Sequence, residues 1–461
     1  MRCQTSLPRL QRARAVVASA LMTDGFVALA RIDLTDGSSG GHDDRVVWRA
    51  RCGRSAGLAG PADDVAREIV EAVRERGDEA VAELTWRFER RRLEPGRFEL
   101  DAETRRAACA RVDPKVRAAL ELAASRIADF HRTQRFAPTG IDHRDSALYS
   151  RPTPLRRVAV YAPGGTAAYP SSVLMTAVVA KVAGVDEVVL LTPRPADVVV
   201  LAAEIAGVDR IYAIGGAQAI AAAAFGTASI ERVDKIVGPG NAYVTAAKRH
   251  VYGACDVDGI AGPSEILVVA DGDASAAMVA ADLISQAEHD ELACAVLVTD
   301  SRALIDAVDV ELRAQLAELP RVAIASASLR DHGAAVLVRD RAQMIEAAND
   351  YAPEHLELLV HEPDALVDGL RTCGAIFVGP HTPEAAGDYT AGPSHVLPTA
   401  GAARFGSPVG VWDFIKYTSV LRLGPEGLAA QADAIVTLAR AEGLEGHARA
   451  VELRTAKDRP S

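Results

Sequence analysis

The chain has 461 residues, 49% of them hydrophobic and 25% charged, and a formal net charge of −11. That length calls for more than one hydrophobic core, and without a dense Lys/Arg stripe a nucleic-acid role lacks its electrostatic footprint. No apolar run approaches the ~20 residues needed to cross a bilayer, and six scattered cysteines without a CxxC pair fit a reducing cytoplasm rather than a disulfide framework or a thiolate zinc site.

The first 21 residues carry Arg2, Arg9, Arg12 and Arg14, with no acid before Asp24. Their apolar stretch is too short for a signal-peptide core, so they read as a dispensable extension with the true start near Met22. Asp36 to Gly60 is rich in Gly, Ser and charge, and residues 1–60 are expected to be a poorly ordered or atypical extension. From about Ala62 to Gln134 the pattern is helical: Val65, Ile69, Val70 and Val73 recur at helical spacing, and Gly77 breaks the run before a second helix.

From Leu155 the style changes. "RRVAVYAPGG", "VDEVVLLTP", "IYAIGGAQAIAAAAFG" and "VDKIVGPGNAYVTAAKRHV" alternate short apolar strands with helices, which implies a parallel sheet. "VAVYAPGG…AVVAK" and "DKIVGPGN…VTAAK" look like degenerate copies of one unit. A second series follows through "EILVVAD", "CAVLVTD", "AAVLVRD", "LELLV" and "GAIFVG". Cys294, inside one of these apolar runs, reads as a small core residue and not as a nucleophile.

The fold expected is α/β, with two Rossmann-like parallel-sheet lobes and helical N- and C-terminal segments. Residues 61–155 and 266–409 would form the first lobe, 156–265 the second, and 410–461 a mainly helical tail.

Gly164-Gly165, Gly215-Gly216 and Gly238-Pro239-Gly240 each follow a strand and precede a helix. At the carboxyl edge of a parallel sheet, free N–H groups there favour a phosphate or dinucleotide. Steric need alone also places glycines at such turns, and none of the three completes a GxGxxG fingerprint.

Gln286 and His289, at i,i+3 on an expected helix, share a face, and Gln286 projects on the apolar side with Val279. A buried amide needs a partner; a hydrogen-bonded core Gln beside a surface His is the bland alternative. Asp388 and His395 lie among turn residues, and Glu442 and His447 lie in the tail. Imidazoles with carboxylate and amide oxygens suit Zn²⁺ or another borderline divalent ion. In "YAPEHLELLV", Glu354 stands beside His355 just after a proline. That window alone fits a surface helix start, since Pro and acids favour the first turn.

"YAPGG", "GGAQAI", "VGPGNAYV", "AGPSEILVVAD", "SQAEHD", "YAPEHLE", "GDYTAGPSHVLPT" and "EGLEGHARAV" occur in this order. Together they resemble the histidinol dehydrogenase family, the zinc- and NAD-dependent enzymes of the last step of histidine biosynthesis, over residues 62–455. Residues 1–60 show no clear match, and Ser394 stands where many members carry Asn.

The resemblance implies one Zn²⁺ per subunit on Gln286, His289, Asp388 and His447, and Glu354 and His355 as the acid–base pair. It implies NAD contacts at Tyr161, Gln218 and Asn241. Substrate contacts fall on Ser264, His395 and Glu442, with Gln286, His289, His355, Asp388 and His447. The implied reaction is a four-electron oxidation of L-histidinol to L-histidine through bound L-histidinaldehyde, with two NAD⁺. It also implies a cytoplasmic homodimer with shared active sites, the tail crossing to the partner.

A dehydrogenase of another polar alcohol, such as a sulfonated diol, is the nearest competing reading; His395, Glu442 and His447 favour histidinol. A non-catalytic metal- or NAD-binding protein would not need both Glu354 and His355. A metal-dependent hydrolase would leave the glycine loops unexplained.

Overall fold

In a computed structural model the described residues are 28–35, 41–54, 60–134, 136–143, 145–164 and 168–456. The Arg-rich start, Met22 and Gly165 lie outside them. The strands run β1 (Ala30–Asp33), β2 (Thr139–His143), β3 (Ser146–Pro154), β4 (Arg157–Tyr161), β5 (Glu187–Leu191), β6 (Arg210–Tyr212) and β7 (Lys235–Val237). They continue as β8 (Asp256–Val257), β9 (Glu265–Ala270), β10 (Cys294–Thr299), β11 (Ala334–Leu337), β12 (His355–Leu359), β13 (Ala375–Val378) and β14 (Ile415–Arg422).

Two sheets are parallel throughout. One has the order β6-β5-β4-β7-β8 and the other β1-β11-β10-β9-β12-β13. Helices cover both faces of such sheets, so their central strands read as unbroken apolar runs: "KIV" and "EILVVA" are buried at every position. The α/β class and its two parallel sheets follow from that pattern.

The structure differs from the expectation in three places. The N-terminal segment is not all loose: β1 pairs with β11, Ala30 opposite Ala334, and Trp48 of the helix Gly41–Cys52 stacks on Tyr351 with ring centroids 5.6 Å apart. Ile32 and Leu34 are the buried alternates of this strand, a pattern too short to stand out among glycines and serines.

The helices Pro61–Arg76 and Asp78–Glu89 pack on the five-stranded sheet, not the six-stranded one. Their apolar stripe, with Ile69, Val70 and Val73, shares a core with Ala219, Ile220 and Val244. Pro114–His131 joins the core on the other face of the same sheet, through Ile127 beside Leu174 and Leu190. Finally, the C-terminal segment opens on a short 3-10 turn, Val411–Phe414, and then a strand. β14 pairs antiparallel with β3, and β3 with β2, in a separate three-stranded sheet. Beyond it the helices Ala432–Ala441 and Glu445–Thr455 pack against each other.

One short connection places the site. β8 ends the five-stranded sheet, and residues 258–264 lead straight to the first residue of β9. That connection joins the carboxyl edge of the five-stranded sheet to the amino edge of the six-stranded one. Asp258 Oδ2 accepts the Gly238 N–H at 2.6 Å, and the Gly262 N–H donates to Thr399 Oγ1 at 2.5 Å. Ser394 Oγ donates to the Met175 carbonyl at 3.0 Å, within a π-helical turn at Leu174–Val178. Turns of that kind recur at functional sites. Among the described residues no helix is long and apolar enough to cross a membrane.

Candidate functional site

Glu354 and His355 do not begin a surface helix. The helix Arg341–Tyr351 ends at Ala352, whose φ of 51° is the left-handed conformation of a C-terminal cap. Pro353 follows, and His355 is then the first residue of β12, paired with Ile266 of β9. Both side chains are buried, Glu354 at 6% exposure and His355 at 5%. Gly374 packs against this turn: a Cβ there would stand 2.5 Å from the Glu354 carbonyl oxygen, so the approach needs glycine.

The two peptide groups of one residue, Glu265, hold the pair. Its N–H donates to Glu354 Oε2 at 2.8 Å, and its carbonyl lies 3.0 Å from His355 Nδ1. A carbonyl only accepts, so Nδ1 carries the hydrogen and Nε2 keeps its lone pair. Burial pushes His355 down to about 4 against the opposing pull of Asp388, which keeps the ring neutral at neutral pH. Burial, with Glu265, Asp388 and Glu384 nearby, raises the Glu354 carboxyl well above the ordinary range.

Facing the His355 Nε2 side is a cluster of acids. Glu384 Oε1 lies 3.8 Å from Nε2, and ligand atoms of His355, Glu384 and Asp388 lie within 4.8 Å of one another. Glu384 and Asp388 stand one turn apart on the helix Glu384–Tyr389. Burial and then the Asp388 charge push Glu384 up to about 8. Burial would raise Asp388 too. The His395 imidazole, 3.2 Å away at Nδ1, outweighs it with help from His355 and His289, and the Asp388 carboxyl is held below its usual value.

Gln286 is the second anomaly. It closes the helix Ala276–Ala287 with no exposed surface, and neither its amide oxygen nor its amide nitrogen has a hydrogen-bond partner. Buried polar groups are seldom left so, and an orphaned buried amide is a donor that suits a divalent ion. His289 lies just past the helix end, exposed, and its charge bears on Asp388 and His355. The donor types therefore fit a zinc ion at Gln286, His289 and Asp388. His447 and Glu442 do not join this cluster: both are exposed on the C-terminal helical pair, without a side-chain hydrogen bond or ion pair among the described residues. Ser264, half-buried, immediately precedes β9.

The glycine loops stand at the carboxyl edge of the five-stranded sheet. Tyr161 ends β4, and its hydroxyl accepts the Gly216 N–H at 3.1 Å, at the start of the helix Gly216–Phe225 that carries buried Gln218. Asn241 caps the helix Ala242–Val251, its Oδ1 accepting from the N–H groups of Tyr243 and Val244, both at 3.1 Å. Gly238 has a φ of 115°, and a Cβ there would lie 2.2 Å from the Tyr161 carbonyl oxygen. Lys248, buried, ties this loop down by donating to the Gly238 carbonyl and to Asp258 Oδ1.

Sequence reasoning passed over Glu384 and Glu265. The i,i+4 spacing of Glu384 and Asp388 was a usable signal for the first. An acid opening an otherwise apolar strand, "EILVVA", was one for the second.

The chain matches the family described as histidinol dehydrogenase over residues 55–455. A histidinol dehydrogenase from Syntrophotalea carbinolica is 51% identical over 397 residues, covering 85% of this chain and 92% of its own. One from Pseudomonas syringae pv. tomato is 47% identical over 434 residues, covering 93% and 96%. The crystal structure of histidinol dehydrogenase from Elizabethkingia anophelis superposes with a TM-score of 0.86 at 32% identity, covering 94% of this chain and 99% of that one.

Proposed function

We propose, from the premise that the chain belongs to the histidinol dehydrogenase family, that it oxidises L-histidinol to L-histidine in two steps through a retained aldehyde, with zinc and two NAD⁺. The observation that carries this reading is the buried Glu354–His355 pair, fixed by the Glu265 peptide groups.

His355 Nε2 is the base for the alcohol. Its ring is neutral, its tautomer is fixed through Nδ1, and its lone pair points toward the acid cluster. Glu354 acts in the second step on water or the hydrate. Burial raises its proton affinity, so its carboxylate is a stronger base than an ordinary one. Both groups sit out of bulk water, where each proton passes to a defined acceptor.

Gln286, His289 and Asp388 would hold zinc, with His447 supplied across a homodimer; the exposure of His447 and Glu442 on helices packed mainly on each other supports that arrangement. Zinc there would supply a fixed point for the substrate's amine and imidazole nitrogens, orienting the alcohol more than activating it. Tyr161, Gln218 and Asn241 would bind NAD⁺, which supplies the hydride acceptor for each half. Ser264, His395 and Glu442 would complete the substrate pocket.

Chelation and zinc restoration test the reading. NADH production with L-histidinol is expected to vanish on chelation and return with zinc in the parent, and not in Gln286→Ala. Full turnover by metal-free protein would overturn it.

A further inference from the structure

The Glu265 carboxylate has no part in the chemistry proposed above, yet it is 1% exposed at the first position of β9, directly behind both reacting side chains. A carboxylate so buried keeps its place only when it is paired. Its partner is Arg54, from the segment whose sequence looked loosely ordered. Arg54 Nε bonds Glu265 Oε1 at 2.6 Å and Nη2 bonds Oε2 at 2.8 Å, a two-point fork.

The same guanidinium reaches the other support of the pair. It lies 3.5 Å from the centroid of the Tyr351 ring and donates to the Tyr351 carbonyl at 3.1 Å. Tyr351 is the last helical residue before the Ala352–Pro353 turn into Glu354, and Trp48 stacks on its ring. Arg54 is itself anchored, donating to the Arg51 carbonyl at 2.8 Å, while Arg51 bonds the carbonyls of His332 and Gly333.

We infer that Arg54 is a positioning residue for the acid–base pair, fixing the Glu265 peptide and the Tyr351 turn that aim Glu354 and His355 without itself reaching substrate. The inference rests on the acid–base reading of those two residues. A neutral or single-point partner at position 54 leaves the Glu265 carboxylate without its two-point anchor, and its peptide groups shift with it. Small displacements of reacting groups lower turnover far more than they lower binding.

The test uses the full-length, zinc-loaded protein with Arg54→Gln and Arg54→Lys. Lys keeps the charge but loses the fork and the stacking plane, so it carries the test should the Gln variant fail to fold. In each, kcat with L-histidinol is expected to fall by roughly 10–100-fold, with zinc per subunit and the KM for histidinol close to the parent's.

A parent-like kcat would overturn the inference. So would a loss of zinc in step with kcat, which would place the effect at the metal, and so would failure of both variants to fold, which would make the pair a folding element. A parent that does not oxidise histidinol refutes the acid–base reading instead; an active parent with unaffected variants refutes only the role of Arg54.

Discussion

Replacing Gln286 by Leu is expected to make the metal-free protein more stable and the enzyme useless. Gln286 is wholly buried, and both polar atoms of its amide lack partners. Each buried polar group left unpaired costs about 1–3 kcal/mol, so removing both is worth about 2–6 kcal/mol, since Leu fills a similar volume with no polar atom. The assay is urea denaturation of chelated parent and variant, with the slope checked for constancy so that a midpoint shift reports stability.

Zinc then reverses the ranking. The parent gains stability by binding, and the variant, short of one donor, gains less and loses turnover. A metal-free Leu variant less stable than the parent, or one that takes up a full equivalent of zinc, would refute the claim that this amide is held in reserve for a metal.

His355→Asn is expected to lower kcat by about 10²–10⁴-fold with zinc content unchanged, read by steady-state kinetics and metal analysis. Because burial lowers the His355 pKa, its base form persists as pH falls; the acidic limb of kcat should lie below the value of about 6.5 for a free imidazole, and a limb at or above it would contradict the assignment. Cys52, Cys255 and Cys373 are pushed up to about 12 by burial, and Cys294 to about 11, so few thiolates exist at pH 7. Brief treatment with iodoacetamide should leave activity intact, and rapid loss would put a thiol back in the mechanism. Asp258→Asn weakens the bonds to the Gly238 N–H and to Lys248 and should raise the KM for NAD⁺ more than that for histidinol; equal effects on both would detach this loop from the cofactor.

The sequence carried the parallel lobes because buried parallel strands are apolar at every position, as β9 is, and each is punctuated by a helix. It also carried the Gln286 anomaly, since a polar residue on the face of Val279 can be read from helical geometry alone. It could not carry β1, whose pairing with β11 is set by a residue more than three hundred positions away. The same limit hid the Arg54–Glu265 fork: local periodicity says nothing of which distant charge neutralises a buried acid. The window around Glu354 pointed to a helix start because Pro and acids are common there. In the structure that turn instead feeds a strand: β12 pairs with β9, and the Glu265 peptide groups bond the two side chains.

The central claim, a four-electron oxidation run by one buried acid–base pair, is tested most directly by counting NADH formed from a limiting amount of L-histidinol with excess NAD⁺ and zinc-loaded protein. The account predicts two NADH per histidinol, with histidine as the product and no free aldehyde. One NADH with aldehyde released, or no turnover by folded, zinc-loaded protein, would contradict it.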